Sequence, residues 1–248
     1  MEKHLGHIYQ QSTKYSRDNL AGRRLDWENR PESYKEFAGE YTVLPGPPPD
    51  GGKSLWQSLG ERKSIRNFSG AGLTSEELGR LAWAAAGANR VAARGDFYFR
   101  TAPSAGGLYP IETYVQINRA EGFKPGIYHY SVPKHGLCLL REGDFGPSMS
   151  EAALGQRIVE HAAAVFLWTA VTGRTFWKYG QRGIRYIYTD IGHMGQNVYL
   201  AAAALDLGCC VVGAFYDDEV NTLLGVDGED ETIVYMASVG RTKKQDRE

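Results

Sequence analysis

The sequence predicts an α+β fold: a central antiparallel or mixed sheet flanked by helices, one of them long and central. Three observations predict it. Across residues 183–207, Ile184, Ile187, Ile191, Met194, Val198, Ala201 and Leu205 recur in steps of three and four, which keeps one apolar stripe on one face of a helix. Three short alternating runs, at 113–117, 126–130 and 137–140, are separated by turn residues, as in an antiparallel meander. Strands and helices do not alternate strictly, which disfavours a doubly wound parallel sheet.

The long helix would be a rod of roughly 37 Å, about the width of a domain, with Gly208 expected to stop it. Gly192 and Gly195 each weaken a helix interior by ~1 kcal/mol relative to Ala. They point to a close approach there by a partner helix or a flat ligand.

From the N-terminus, residues 1–50 mix charge, Tyr and Pro without a sustained period and end in LPGPPPDGG. They read as an arm and linker, ordered where they lie against the body or a partner subunit, ahead of a folded domain at 51–248. His4 and His7 lack further ligands, so no metal site is expected. A short amphipathic helix follows at 54–60. LTSEELGRLAWAAAGA is a second helix, with Thr74 and Glu77 as its capping box. After the meander, whose His129 and His135 read as surface or stacked histidines, come a helix near 155–163 and a buried strand at 164–171. Beyond the long helix lie strand 209–215, helix 217–224 and strand 232–239.

A chain of 248 residues with 42% hydrophobic and 23% charged residues can bury a sizeable core. Its net charge of −1 gives no reason to expect nucleic acid or an anionic membrane surface. No run approaches a membrane span, and the polar N-terminus lacks a signal peptide's apolar segment, so a cytoplasmic protein is expected. Cys138, Cys209 and Cys210 sit in apolar runs and read as reduced, buried thiols. GxGxxG after a strand, GxxxxGK[ST], HExxH, CxxC and GxSxG are all absent.

Two segments carry chemistry on local grounds. In ERKSIRNFSG, Arg62, Ser64 and Arg66 point the same way if the backbone is extended, and two guanidinium groups with a hydroxyl suit a phosphate. In PSAGGLYP, Pro103, Ser104, Ala105 and Gly106 begin a small-residue loop whose bare amides let main chain approach a planar ligand.

RKSIRNFSG, PSAGGLYPIETY, GIYHY, KYGQRGIRY, DIGHMGQNVYLAA, VVGAFYD and LLGVDGEDETIVYMASVGR occur in that order, and STKYSRD (12–18) precedes them. Together they resemble the nitroreductase-like flavoproteins and, more narrowly, the SagB-type (McbC-like, azoline-oxidase) dehydrogenases. The resemblance implies an obligate homodimer with FMN in a groove between subunits. Arg62, Ser64, Arg66 and Arg241 would hold its phosphate and ribityl end, Pro103–Gly106 would lie along the isoalloxazine, and the Gly213 and Ala214 amides would lie near N5. Gln196 and Asn197 would reach flavin or partner, and the helix glycines would pack across the two-fold axis. Lys178 and Tyr179 match the azoline oxidases' Lys-Tyr pair, which takes a proton from the ring carbon while hydride goes to the flavin. A lysine base must first shed its charge, and Arg174, Arg182 and Arg185 flank Lys178 to favour this. Azoline oxidases carry extra sequence for their precursor peptide, whereas an arm of about fifty residues precedes this domain; the implied substrate is a small or peptide-borne azoline. The rival readings are an NAD(P)H-dependent nitro or quinone reductase, a flavin-binding dimer without turnover, and a dimer without flavin.

Overall fold

The computed structural model describes residues 4–20, 24–47 and 52–243; part of the Pro/Gly linker, residues 48–51, lies outside them. In chain order the helices are α1 (Leu5–Ser12), α2 (Arg17–Leu20), α3 (Leu55–Glu61), α4 (Ser75–Ala86), α5 (Gly146–Ala152), α6 (Ile158–His161), α7 (Thr172–Tyr179), α8 (Gly183–Ala204) and α9 (Asp217–Leu224). The strands are β1 (Tyr41–Val43), β2 (Ala88–Val91), β3 (Tyr98–Arg100), β4 (Ile111–Ile117), β5 (Gly126–Ser131), β6 (Gly136–Glu142), β7 (Ala164–Val171), β8 (Leu207–Val212) and β9 (Glu231–Arg241). β2 and β3 form a separate hairpin.

The other seven strands form one sheet in the order β1-β6-β5-β4-β7-β9-β8, and every pairing is antiparallel. The expected meander is β4-β5-β6. β7 lies inside the sheet, between β4 and β9, with helices over both faces. Ala164, Phe166 and Trp168 face α4 and α8; Val165 and Leu167 face α5, α6 and α9. Two covered faces explain why AVFLWTAV is continuously apolar rather than alternating.

α4 starts as its sequence dictates. Thr74 Oγ1 accepts the Glu77 amide, and Glu77 returns a carboxylate to the Thr74 amide, an arrangement worth about 1 kcal/mol. Its Leu78, Leu81, Ala82 and Ala85 pack beside Ile187, Ile191, Met194, Val198 and Ala202 of α8.

α8 is shorter than its apolar stripe suggested. It ends at Ala204, and the reversal falls on Asp206, which takes a left-handed φ of 57°. Gly208 is instead a residue of β8, where a Cβ would stand 2.8 Å from Ile65 Cγ2. The close approach at Gly195 is made by this chain's own Tyr235 ring, 3.1 Å from a would-be Cβ, while Gly192 faces open space.

The N-terminal residues lie against the body and also add a strand to it. β1 pairs with β6, Leu44 is buried, and Lys35 reaches across to Glu231 at 2.5 Å. The helix expected near 155–163 is the single-turn α6, and α5 and α7 form where no element was assigned.

Candidate functional site

Two clusters of predicted site residues sit along α8. Asp190 anchors one and Tyr199 the other; nine residues apart, they are separated by about 13 Å along the helix axis.

The first cluster is the Pro103–Gly106 loop with Lys178 and Tyr179. Ser104 Oγ donates to Asp190 Oδ2 at 2.6 Å and accepts the Tyr109 amide at 2.9 Å, while the Ala105 amide donates to Asp190 Oδ1 at 3.2 Å. These bonds fold the loop through left-handed backbone at Gly106 (φ 65°), Gly107 (φ 66°) and Tyr109 (φ 46°). Only glycine adopts such angles without cost, which is why two occur in succession. α7 ends against this loop. A Cβ on Gly106 would stand 2.5 Å from the Tyr179 hydroxyl and 2.9 Å from Lys178 Nζ. The structure therefore brings together two motifs more than 70 positions apart.

Burial pushes the Asp190 carboxyl above its ordinary range, against the lowering effect of the Ser104 and Ala105 bonds. Burial likewise raises the Tyr179 phenol, with Tyr186 and Asp190 adding to it. Ser104 and the Ala105 amide, expected to meet a ligand's edge, are thus committed to Asp190; Pro103 and Gly106 remain exposed.

The second cluster lines a cleft of about 510 Å³ bounded by Lys53, Glu61, Arg62, Lys63, Tyr199 and Thr242, among others. The 62–66 segment is extended as expected: the Ile65 amide donates to Cys209 O at 2.9 Å, and Ser64 bridges to Cys209. Arg62 and Ser64 do share a face, both meeting Tyr199. The guanidinium lies 5.1 Å from its ring centroid, and Ser64 Oγ is 2.8 Å from its hydroxyl. Lys53 pairs with Glu61 (2.6 Å) and Asp206 (2.8 Å), and Arg62 and Lys63 also line the cleft wall. Arg66 is exposed and does not line the cleft.

Other predicted residues are placed differently. Arg241 does not line the cleft: its guanidinium binds Gly72 O (3.1 Å) and the capping-box Glu77 (2.9 Å). Asn197 binds Ala84 O on α4 at 3.0 Å, whereas Gln196 beside it is exposed. Gly213 and Ala214 are exposed just beyond β8. The three arginines flanking Lys178 have partners of their own. Arg174 is buried against Glu112 at 2.5 Å, and Arg182 and Arg185 hold Thr13.

Sequence reasoning passed over Asp190, Tyr199 and a buried network beneath the loop. In that network Glu112 joins Arg174 to His129 Nε2 (2.9 Å), and Arg174 also donates to Glu32 O. His129 is only 1% exposed, packed between the tilted Phe37 ring and the edge-on Tyr114 ring rather than at the surface. Asp190 did leave a trace: it lies three residues after Ile187 and four before Met194, an acid inside an apolar stripe.

Among the described residues, no helix is long and apolar enough to cross a membrane. The chain is similar to the nitroreductase-like protein MJ1384 of Methanocaldococcus jannaschii, 38% identical over 73% of this chain and 87% of that one. It is similar also to the trifolitoxin operon protein TfxC of Rhizobium leguminosarum, 25% identical over 75% of this chain and 55% of that one. Among solved structures, a nitroreductase-like protein of Anabaena variabilis superposes with a TM-score of 0.78 at 30% identity, covering 96% of this chain and 46% of that one. The chain thus spans about half the length of TfxC and of the Anabaena protein. One chain of the E. coli microcin synthetase McbBCD complex shares the fold, with a TM-score of 0.62 at 18% identity over 96% of this chain and 87% of that one. The nitroreductase family profile matches residues 59–241, about three quarters of the chain, which therefore belongs to the nitroreductase family of flavin oxidoreductases.

Proposed function

We propose that this chain is an FMN-dependent oxidoreductase of the SagB, azoline-dehydrogenase type, acting as a homodimer on a small or peptide-borne azoline. The observation that carries this reading is the convergence of Lys178 and Tyr179 on Gly106. A base and a phenol held against a small-residue loop suit proton abstraction beside a planar group. The likeness to TfxC, whose name places it in a toxin operon, supports the same reading.

The residues present fit FMN. A phosphate suits the cleft wall of Arg62 and Lys63, with the Ser64 and Tyr199 hydroxyls beside it. Gly106 is exposed and carries no side chain, so its main chain is open to a flat ring beside Lys178 and Tyr179. A cofactor held in a groove between subunits would take one of the two clusters, about 13 Å apart along α8, from each subunit. α3 supports a dimer by presenting Leu55, Trp56 and Leu59 outward, Trp56 at 81% exposure.

Bound FMN would supply a hydride acceptor. The chain's own part is to hold the azoline and, through Lys178 Nζ, to receive the proton released from its ring carbon. Tyr179 would orient the substrate from beside that nitrogen.

The test is an anaerobic mixture of the yellow holoprotein with a thiazoline-containing peptide. Bleaching of the flavin is expected in the wild type and its loss in Lys178→Ala, with flavin content unchanged. NADPH oxidation driven by nitroaromatics and indifferent to Lys178→Ala would overturn this reading in favour of a nitroreductase.

A further inference from the structure

Lys178 and Tyr179 close α7, and N-terminal residues hold α7 on one side and, on the other, the turn and first residues of α8 that follow it. On one side Arg174 Nε donates to Glu32 O at 2.7 Å, Trp177 Nε1 donates to Asp26 O, and Trp27 meets the Trp177 ring edge-on at 5.2 Å. On the other, Tyr9 donates its hydroxyl to Gln181 O at 3.0 Å. Arg185 donates to Thr13 Oγ1 (2.5 Å from Nη2) and to Gln10 O (2.6 Å).

Arg182 links this grip to the site. Its Nη1 donates to Thr13 O at 2.8 Å and its Nε to the Tyr186 hydroxyl at 2.9 Å, and it lies over the Tyr15 ring at 4.4 Å. Tyr186 in turn packs against Tyr179, ring centroids 4.6 Å apart at 60°. The path from Thr13 through Arg182 and Tyr186 to Tyr179 is contiguous, and Thr13, at 6% exposure, is well seated at its start. It also gives the STKYS stretch a task that phosphate and loop contacts leave unexplained.

We propose that the segment around Thr13 is part of the active site's framework, and that Arg182 is a positioning residue that fixes Tyr179 through Tyr186. This rests on the reading that Lys178 and Tyr179 carry the chemistry. A planar guanidinium bridges two acceptors at fixed angles, which a lysine ammonium on a flexible stem does not. Small misplacements of a reacting group are costly, on the order of 10²-fold for about 1 Å.

The experiment is a double-mutant cycle on the holoprotein, with the thiazoline peptide as probe. Arg182→Ala should keep its flavin and lower kcat by roughly ten- to a hundredfold, with KM within about twofold. Added guanidinium ion should restore part of the loss, and Arg182→Lys should restore less. In a Tyr179→Phe background the same substitution should cost less than about twofold, because it acts through the hydroxyl already removed. Tyr186→Phe, which deletes one hydroxyl only, is the second variant should Arg182→Ala not fold, and it should lower kcat in the same sense.

If the wild type does not oxidise the probe, the azoline reading fails and the positioning claim is decided by hydrogen exchange in the resting holoprotein. Amides of 178–183 should then exchange about tenfold faster in Arg182→Ala, with recovery on adding guanidinium. Additive losses in the cycle, or unchanged exchange in a protein that does not turn over, would overturn the proposal.

Discussion

Gly106 and Tyr179 meet so closely that a single added carbon would force them apart: a Cβ on the glycine falls 2.5 Å from the phenol oxygen. Gly106→Ala therefore carries two penalties. The left-handed backbone costs about 1–2 kcal/mol, and Tyr179 and Lys178 Nζ must withdraw. We expect a melting temperature only a few degrees lower, about what 1–2 kcal/mol produces in a domain of this size. On the proposed reading, thiazoline turnover should fall at least roughly tenfold, in line with the cost of misplacing reacting groups. Calorimetry and single-turnover bleaching would check the two effects separately.

The network beneath that loop sets an acid limit on stability. Burial alone would raise the Glu112 carboxyl, but the His129 hydrogen bond and the Arg174 charge outweigh it and hold it down at about 2, from an ordinary 4.5. The folded state thus binds fewer protons here than the unfolded state. The stabilisation is fully present above about pH 4.5 and is lost as pH falls toward 2, about 3 kcal/mol in all. Asp190, raised by burial, acts in the opposite sense and partly offsets this loss. Urea unfolding across an acid pH series should show the loss in wild type. Glu112→Gln should show a smaller slope and, with Arg174 left buried and uncompensated, lower stability by about 3–5 kcal/mol at neutral pH.

Arg62 and Ser64 touch the same Tyr199, which gives a direct test of what the cleft binds. On the proposed reading Arg62→Ala should weaken FMN binding to apoprotein by roughly ten- to a hundredfold, the worth of one charge-assisted contact. Riboflavin lacks the phosphate, so its affinity should change by less than about twofold. Fluorescence titration of the two flavins in parallel separates loss of a phosphate contact from general damage to the site.

How far these features could be read from residues alone depended on the range of the interaction. The α4 capping box, the meander and most of α8 are local patterns, and they form where their periods place them. What escaped was set by partners distant in sequence. Arg174 looked like a cation available to Lys178, yet it is buried on Glu112, 62 positions away. Arg241, which only the family resemblance put near a phosphate, finishes the α4 cap through Glu77. Residues 41–43 have no strand period worth the name, and β6 recruits them as an edge. α7 went unassigned because its buried contacts, at Arg174 and Thr175, are polar rather than apolar.

The end of α8 shows how such an error can conceal a function. A glycine after an apolar helical stripe usually marks the stop, but Asp206 makes the turn and Gly208 lies flat in β8 beneath the 62–68 segment. Its missing side chain is what lets Ile65 and Phe68 descend: a Cβ would stand 2.8 Å from Ile65 Cγ2 and 3.1 Å from Phe68 Cε1. Ile65 has a branched, stiff side chain, so the segment must lift as a unit. Gly208→Ala should therefore cost about 1–3 kcal/mol, as overpacking does, seen as a lower urea midpoint with unchanged slope. Lifting the segment also draws Arg62 and Ser64 away from Tyr199. FMN affinity should consequently fall several-fold, although residue 208 itself offers no polar atom beyond its backbone. A variant that loses stability yet binds FMN as the wild type does would break the link between this glycine and the cleft.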